Sequence, residues 1–199
     1  MTLLCYADQS APMRRGVVQV FRLGRDLVMG KPPPKYITLV SLMHDPQLAA
    51  ALGDMVIAWA AAETILITTL TQILGSNLNM IQVGYYRIPT FESRVKVINA
   101  LIDKWEPKGF DKPAIKRAVT KLAKLASARN HWIHGNWCAS EDFTETVIFD
   151  YRSSADSPNR RKPVKAADVE NHTNAVRLRT HELLHLVDFA HVRAGHGEK

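Results

Sequence analysis

Residues 55–67 have the sequence Met-Val-Ile-Ala-Trp-Ala-Ala-Ala-Glu-Thr-Ile-Leu-Ile, and this stretch decides the fold class. It is the longest apolar run of the chain, and Glu63 is its only charged residue. Asp45 followed by Pro46 is a typical helix start, and Gly75 is a typical helix end. The sequence therefore predicts one long helix from about Asp45 to Leu74.

Three further helices are predicted from their end signals. The second covers about Thr90 to Trp105, with Thr90 as its N-cap. The third runs from the cap Asp111 to His134, where Gly135 is expected to end it in a left-handed conformation. The fourth spans about Ala167 to Val192. The expected fold is all-α, an up-down bundle of about four helices with a small β-hairpin insertion and an irregular N-terminal arm.

The hairpin is predicted where the helical pattern stops. The sequence from Thr146 to Tyr151 alternates and consists mainly of β-branched or aromatic residues, which is typical of a strand. Asn136 to Ala139 can pair with it. The polar residues 152–165 are expected to form a mobile loop. The predicted organisation is an irregular arm over 1–44, with Val17 to Leu23 as its candidate strand, and a helical domain over 45–199 with an insertion at 136–165.

The composition indicates which class of partner and which cellular compartment to expect. The formal charge is +7, which favours anionic partners, with nucleic acid before an anionic membrane surface. Cys5 and Cys138 are too few and too far apart for a disulfide framework, so we expect free thiols in a reducing compartment. Met1 to Ala7 lacks the cationic start of a secretory signal, and the apolar run is short of the roughly 20 residues of a membrane span. A cytoplasmic protein without a membrane partner is expected.

Two charges fall where a core is predicted. At about 100° per residue, Arg129 shares a face of the third helix with apolar residues, and a guanidinium removed from water needs an anion. Glu63 in the first helix needs a partner for the same reason. Glu63 could therefore pair with Arg129, or with Arg94 of the second helix, as a structural ion pair.

Asn130 and His134 lie one turn apart beside Arg129 at the end of the third helix. An ideal helix places Arg129 and His134 about 140° apart around its axis. Either a relaxed last turn or a second subunit related by a two-fold axis would bring a guanidinium and an imidazole together.

The string Ala-Arg-Asn-His-Trp-Ile-His-Gly-Asn-Trp, residues 128–137, resembles the signature of the HEPN family (higher eukaryotes and prokaryotes nucleotide-binding domains). That signature is an arginine, a polar residue and a later histidine near the end of a helix in a bundle. Arg129, Asn130 and His134 match these places, and Glu63 is similar to the acidic residue often found facing the motif. The resemblance covers about ten residues as a motif, and residues 45–137 and 167–192 as architecture.

The resemblance implies a metal-independent endoribonuclease of the toxin or defence type, without a cofactor. By this resemblance, His134 would act on the 2′-hydroxyl as a base or on the leaving oxygen as an acid. Arg129 would hold the phosphate, and Asn130 would orient the histidine or the phosphate. A homodimer cutting single-stranded RNA to 2′,3′-cyclic phosphate ends, with an antitoxin protein as a partner, follows from the same likeness. The alternative is a module that binds nucleotides or RNA without cutting.

Cations on the third predicted helix also favour RNA as the ligand. Arg117, Lys121 and Lys124 recur at helical spacing and could form a stripe for a phosphate backbone, although a solvated helix face is equally typical of this pattern.

A rival motif lies in the fourth helix. Residues 181–185, His-Glu-Leu-Leu-His, match the H-E-x-x-H zinc motif, and His191 resembles the third ligand of metzincin proteases. However, Asp188 occupies the place of the glycine that turns the chain toward that ligand. A zinc hydrolase is therefore the third hypothesis, against a packing helix in which Val169, Val176 and Leu183 recur every seven residues.

Overall fold

The computed structural model describes residues 35–106, 110–149 and 161–194, with side chains up to Val187 in the last range. In chain order the elements are β1 (Tyr36–Thr38), α1 (Pro46–Leu74), α2 (Leu78–Arg87), α3 (Phe91–Lys104), α4 (Lys112–His134), β2 (Asn136–Ser140), β3 (Thr146–Phe149), β4 (Arg161–Pro163) and α5 (Ala166–Ala194). The described chain is mostly helical with a small antiparallel sheet.

The described residues form two compact units. The helical unit holds residues 42–106, 110–135 and 164–194, and the sheet unit holds residues 35–41, 136–149 and 161–163.

Helix ends confirm the sequence signals. The carboxylate of Asp45 accepts a hydrogen bond from the Leu48 N–H at 2.9 Å, and Gly75 ends α1 with φ of 57°. Thr90 caps α3 by accepting from Ser93 N–H at 3.1 Å, and Asp111 caps α4. The predicted fourth helix is α5.

One helix was not predicted, and the expected conformation of one helix end is wrong. α2 is not among the four predicted helices; Asn77 caps it by accepting from the Asn79 N–H at 2.8 Å. Gly135 is extended, with φ of −74° and ψ of 154°, instead of left-handed. The reason is that α4 continues directly into β2 at Asn136, so the chain needs a β conformation immediately after the helix.

The sheet has the order β1-β2-β3-β4, and all pairs are antiparallel. The predicted hairpin is confirmed, since Asn136 is opposite Phe149 across β2 and β3. Two expectations of irregular structure are wrong: the arm 1–44 contributes β1, and the expected loop 152–165 contributes β4. Each of these strands has three residues and is stabilised by pairing with the hairpin, β1 with β2 and β4 with β3. The candidate strand at 17–23 lies outside the described residues.

The core of the helical unit is formed by α1, α3, α4 and α5 with one tyrosine of α2. Ile115, Val119 and Leu122 of α4 are buried, as their spacing predicts. The heptad positions Val169, Val176 and Leu183 of α5 are also fully buried. α1 is long and apolar enough to cross a membrane by length and composition alone, a test that core helices of folded proteins also pass; 44% of its most apolar window is buried in this unit.

Candidate functional site

The three motif residues lie in the last two turns of α4. The helix stays regular through His134, so the last turn does not relax to bring His134 toward Arg129. Arg129 is half-buried, whereas Asn130 and His134 are exposed. Five residues of regular helix separate Arg129 from His134 by about 140° and about 7.5 Å along the axis. Within one chain, therefore, the two side chains leave the helix on different sides.

Arg129 lies against α1. Its guanidinium carbon is 5.8 Å from the centroid of the Trp59 ring, and Trp59 is itself buried. One terminal nitrogen of Arg129 donates a hydrogen bond to the Asn130 side-chain oxygen at 2.9 Å. The Nε–H of Arg129 is buried and has no acceptor among the described residues. An aromatic face and a neutral amide thus stabilise this cation.

No carboxylate of the described chain lies within salt-bridge distance of Arg129. A half-buried guanidinium usually has an anionic partner because water solvates it only in part. The terminal N–H groups of Arg129 that do not bind Asn130 can therefore donate to an external anion.

Glu63 pairs with the other arginine that the sequence offered. Its Oε1 accepts from Arg94 at 2.8 Å, and the two side chains are 18% and 14% exposed. The Glu63–Arg129 alternative is therefore wrong, since α3 places Arg94 closer to the carboxylate. Glu63 joins α1 to α3 and contributes no described contact to the motif.

Two tyrosines of α2 complete the surroundings of this ion pair. The guanidinium carbon of Arg94 lies 4.8 Å from the ring centroid of Tyr85 and 5.3 Å from that of Tyr86, and Arg94 also donates to the Ile88 carbonyl at 3.0 Å. Burial, followed by the nearby Glu63 carboxylate, raises the pKa of the Tyr85 hydroxyl. Sequence reasoning missed these tyrosines because it missed α2. It missed Trp59 as the neighbour of Arg129, although Trp59 lies one turn before Glu63.

The predicted cations of α4 line a shallow groove of about 380 Å³. Its lining is Pro113, Lys116, Arg117, Thr120, Lys121 and Lys124. Arg117 and Lys124 have no acidic partner among the described residues. Lys121, however, pairs with Glu182 of α5 at 3.0 Å, which reduces its capacity for phosphate.

The groove does not continue to Arg129 on the same side of the helix. Lys124 precedes Arg129 by five residues, hence by about 140° around α4. Lys116, by contrast, precedes His134 by eighteen residues, which is about five full turns. Only the Lys116 edge of the groove is therefore in line with His134, because Arg117 and Lys124 lie about 100° and 80° around α4 from it.

The rival motif on α5 offers two histidines and an engaged carboxylate. Arg179 and then Lys121 lower the pKa of Glu182, whose oxygens accept from these cations at 2.8 and 3.0 Å. No group of three or more candidate metal ligands occurs within the described residues.

Comparison of the chain with protein-family models, with curated proteins and with solved structures finds no match.

Proposed function

We propose that this chain is a HEPN-type RNA-binding protein that acts as a metal-independent endoribonuclease on single-stranded RNA. The observation that carries the proposal is Arg129, a half-buried guanidinium with a buried Nε–H and no carboxylate partner among the described residues. Planar guanidinium groups bind phosphate through paired hydrogen bonds, and the chain's charge of +7 attracts polyanions.

The reaction needs two proton transfers. The RNA 2′-oxygen attacks the adjacent phosphorus, a 2′-O–P bond forms and the P–O5′ bond breaks. A base takes the 2′-hydroxyl proton, and an acid gives a proton to the departing 5′-oxygen. An imidazole can accept or donate a proton, so His134 would serve one of these transfers, and Arg129 would stabilise charge on the phosphate. The products are a 2′,3′-cyclic phosphate and a 5′-hydroxyl.

A two-fold dimer would complete this site. Arg129 and His134 of one chain diverge by about 140°, so a shared cleft would combine Arg129 of one subunit with His134 of the other. In such a cleft each site would contain one Arg129 and one His134, and His134 would supply one of the two proton transfers. RNA in the α4 groove would contact Arg117 and Lys124, which lie about 100° and 80° around the helix from His134.

The proposed architecture, compartment and biological role rest on the resemblance of residues 128–137 to the HEPN motif. The helical unit would be an up-down bundle, the protein would act in the cytoplasm as a toxin or defence factor, and an antitoxin protein would neutralise it. Glu63 has a structural role in this proposal, because its carboxylate is engaged by Arg94.

The second candidate is an RNA- or nucleotide-binding module that cuts nothing. The divergence of His134 from Arg129 in one chain favours it, because a monomer would retain the phosphate site and lose the chemistry.

The test is cleavage of a single-stranded RNA in EDTA. We expect the natural sequence to cut it and leave 2′,3′-cyclic phosphate ends, His134→Ala to lose at least about a hundredfold in rate, and His44→Ala, a histidine outside the motif, to keep its rate. Equal cutting by His134→Ala and the natural sequence would contradict the nuclease. RNA binding without cutting would establish the second candidate.

A further inference from the structure

His181 and His185 form a close pair on the exposed side of α5, outside the proposed RNA site. Their Nε2 atoms lie 3.0 Å apart, and their ring centroids lie 4.1 Å apart at 81°. Both rings are exposed. Residues four apart on a helix are neighbours, but rotamer choice could direct the two rings apart; here the two Nε2 atoms lie within hydrogen-bond distance of each other.

The separation fits two bonds to one metal ion. Two metal–nitrogen bonds of about 2.0–2.1 Å that meet at about 90° span about 2.9 Å, and at about 110° they span about 3.4 Å. The observed 3.0 Å lies near the 90° value. Square-planar and tetragonal ions, Cu²⁺ and Ni²⁺, have that angle, whereas tetrahedral Zn²⁺ prefers the wider one.

The backbone beneath the pair is held in place. Leu183, between the two histidines, is fully buried, and Val187 is 1% exposed. Both anchor this part of α5 in the helical core. The two imidazoles therefore start from a fixed helical spacing, and binding does not have to order the backbone.

Glu182 does not belong to this metal site. Its two oxygens accept from Lys121 at 3.0 Å and Arg179 at 2.8 Å, so the carboxylate joins α5 to α4 and to its own preceding turn. The water-activating role that glutamate has in an H-E-x-x-H hydrolase is not supported here. We propose instead that His181 and His185 form a two-histidine chelate for a divalent transition metal, with preference for Cu²⁺ or Ni²⁺ over Zn²⁺.

The chelate predicts a specific pattern of variants. Once one imidazole has bound the metal ion, the second binds it as an intramolecular ligand, which raises the affinity. Removing either histidine should therefore remove this increase in affinity. In calorimetric titration with Ni²⁺ at neutral pH, His181→Gln and His185→Gln should each weaken the site by at least about tenfold. Glu182→Gln, the matched control within the same turn, should keep the affinity of the natural sequence because it is not a ligand.

Thermal unfolding gives an independent measurement. Excess Ni²⁺ should raise the Tm of the natural sequence and of Glu182→Gln, because a ligand that binds the folded state stabilises it. The rise should disappear in His181→Gln and in His185→Gln. Retention of tight Ni²⁺ binding in both single histidine variants would overturn the proposal. Loss of binding in Glu182→Gln, or tighter binding of Zn²⁺ than of Ni²⁺ and Cu²⁺, would also contradict it. None of these results depends on RNA cleavage.

Discussion

Arg94 and Arg129 differ in what balances their charge. Arg94 has the Glu63 carboxylate at 2.8 Å, a backbone carbonyl and two tyrosine rings. Arg129 has one tryptophan ring and one neutral amide. The first arginine is therefore a structural group whose contacts are internal, whereas the second retains capacity for an anion from outside. This difference is the basis of the proposed RNA site.

The Glu63–Arg94 pair should contribute measurably to stability. Glu63→Gln removes the charge and leaves a mostly buried guanidinium poorly compensated, which we expect to lower the free energy of unfolding by about 1–3 kcal/mol in urea denaturation. Glu92→Gln breaks the exposed Glu92–Lys96 pair, which solvent already screens, and should leave the free energy of unfolding nearly unchanged. Equal effects of the two variants would show that Glu63 is not a structural anchor.

His172 should make the fold sensitive to mild acid. Its ring meets Trp132 edge-on at 4.9 Å, and burial lowers the pKa of this imidazole below 6.5. Between the lowered pKa and 6.5 the unfolded chain binds more protons than the folded chain, so stability falls as pH drops through this interval. The urea midpoint of His172→Phe, which keeps a ring against Trp132, should fall less between pH 7.5 and 5.5. An unchanged pH dependence would contradict this role.

At the scale of elements, short-range capping signals predicted the helix ends well. Asp45, Thr90 and Asp111 act through N–H groups three residues away, so local sequence contains the whole interaction. α2 was missed because Gly84 and two adjacent tyrosines give it weak helix propensity, and burial of Tyr85 against the core compensates.

Strands and side-chain partners were harder to predict from sequence. β1 pairs with β2 about a hundred residues away, and three residues contain too little pattern to reveal it. In the candidate site, sequence reasoning identified Arg129 and Glu63 as buried charges that needed partners. It left the choice between Arg94 and Arg129 open because that choice depends on how α3 and α4 pack against α1.

The end of α1 gives a prediction with an internal control. Gly75 has φ of 57°, so Gly75→Ala places a Cβ in the left-handed region and should destabilise the fold by about 1–2 kcal/mol. Gly53 lies within α1, and a Cβ there would meet nothing within 4 Å. Gly53→Ala should therefore stabilise by about 0.5–1 kcal/mol. Urea denaturation measures both, and a loss of stability in Gly53→Ala would contradict the open surroundings.

At the scale of the whole molecule, the proposed nuclease requires more than one chain. The Lys116 edge of the α4 groove is in line with His134, and Arg129 emerges on another side of the helix. A positive chain of charge +7 would attract RNA to either side. A two-fold axis that brings Arg129 of one subunit to His134 of its partner would resolve this divergence.

Mixing two inactive variants tests the shared cleft. Arg129→Ala and His134→Ala should each be inactive alone. A heterodimer of the two contains one site with both natural residues, so the mixture should regain up to about one quarter of the natural activity when subunits exchange at random. If every site lies within one chain, the mixture will stay inactive.

The most direct measurement of the central claim is the affinity of Arg129 for an RNA phosphate. Fluorescence anisotropy with a short single-stranded RNA should be compared for His134→Ala, which cannot cut, and for the same chain with Arg129→Ala added. We predict that the added change raises Kd by about tenfold or more. It should also reduce the slope of log Kd against log salt concentration by about the amount expected for one phosphate contact, whereas Lys96→Ala in the same background should change neither Kd nor the slope much. Equal Kd values and equal salt slopes with and without Arg129, in chains of unchanged helical content, would contradict the account.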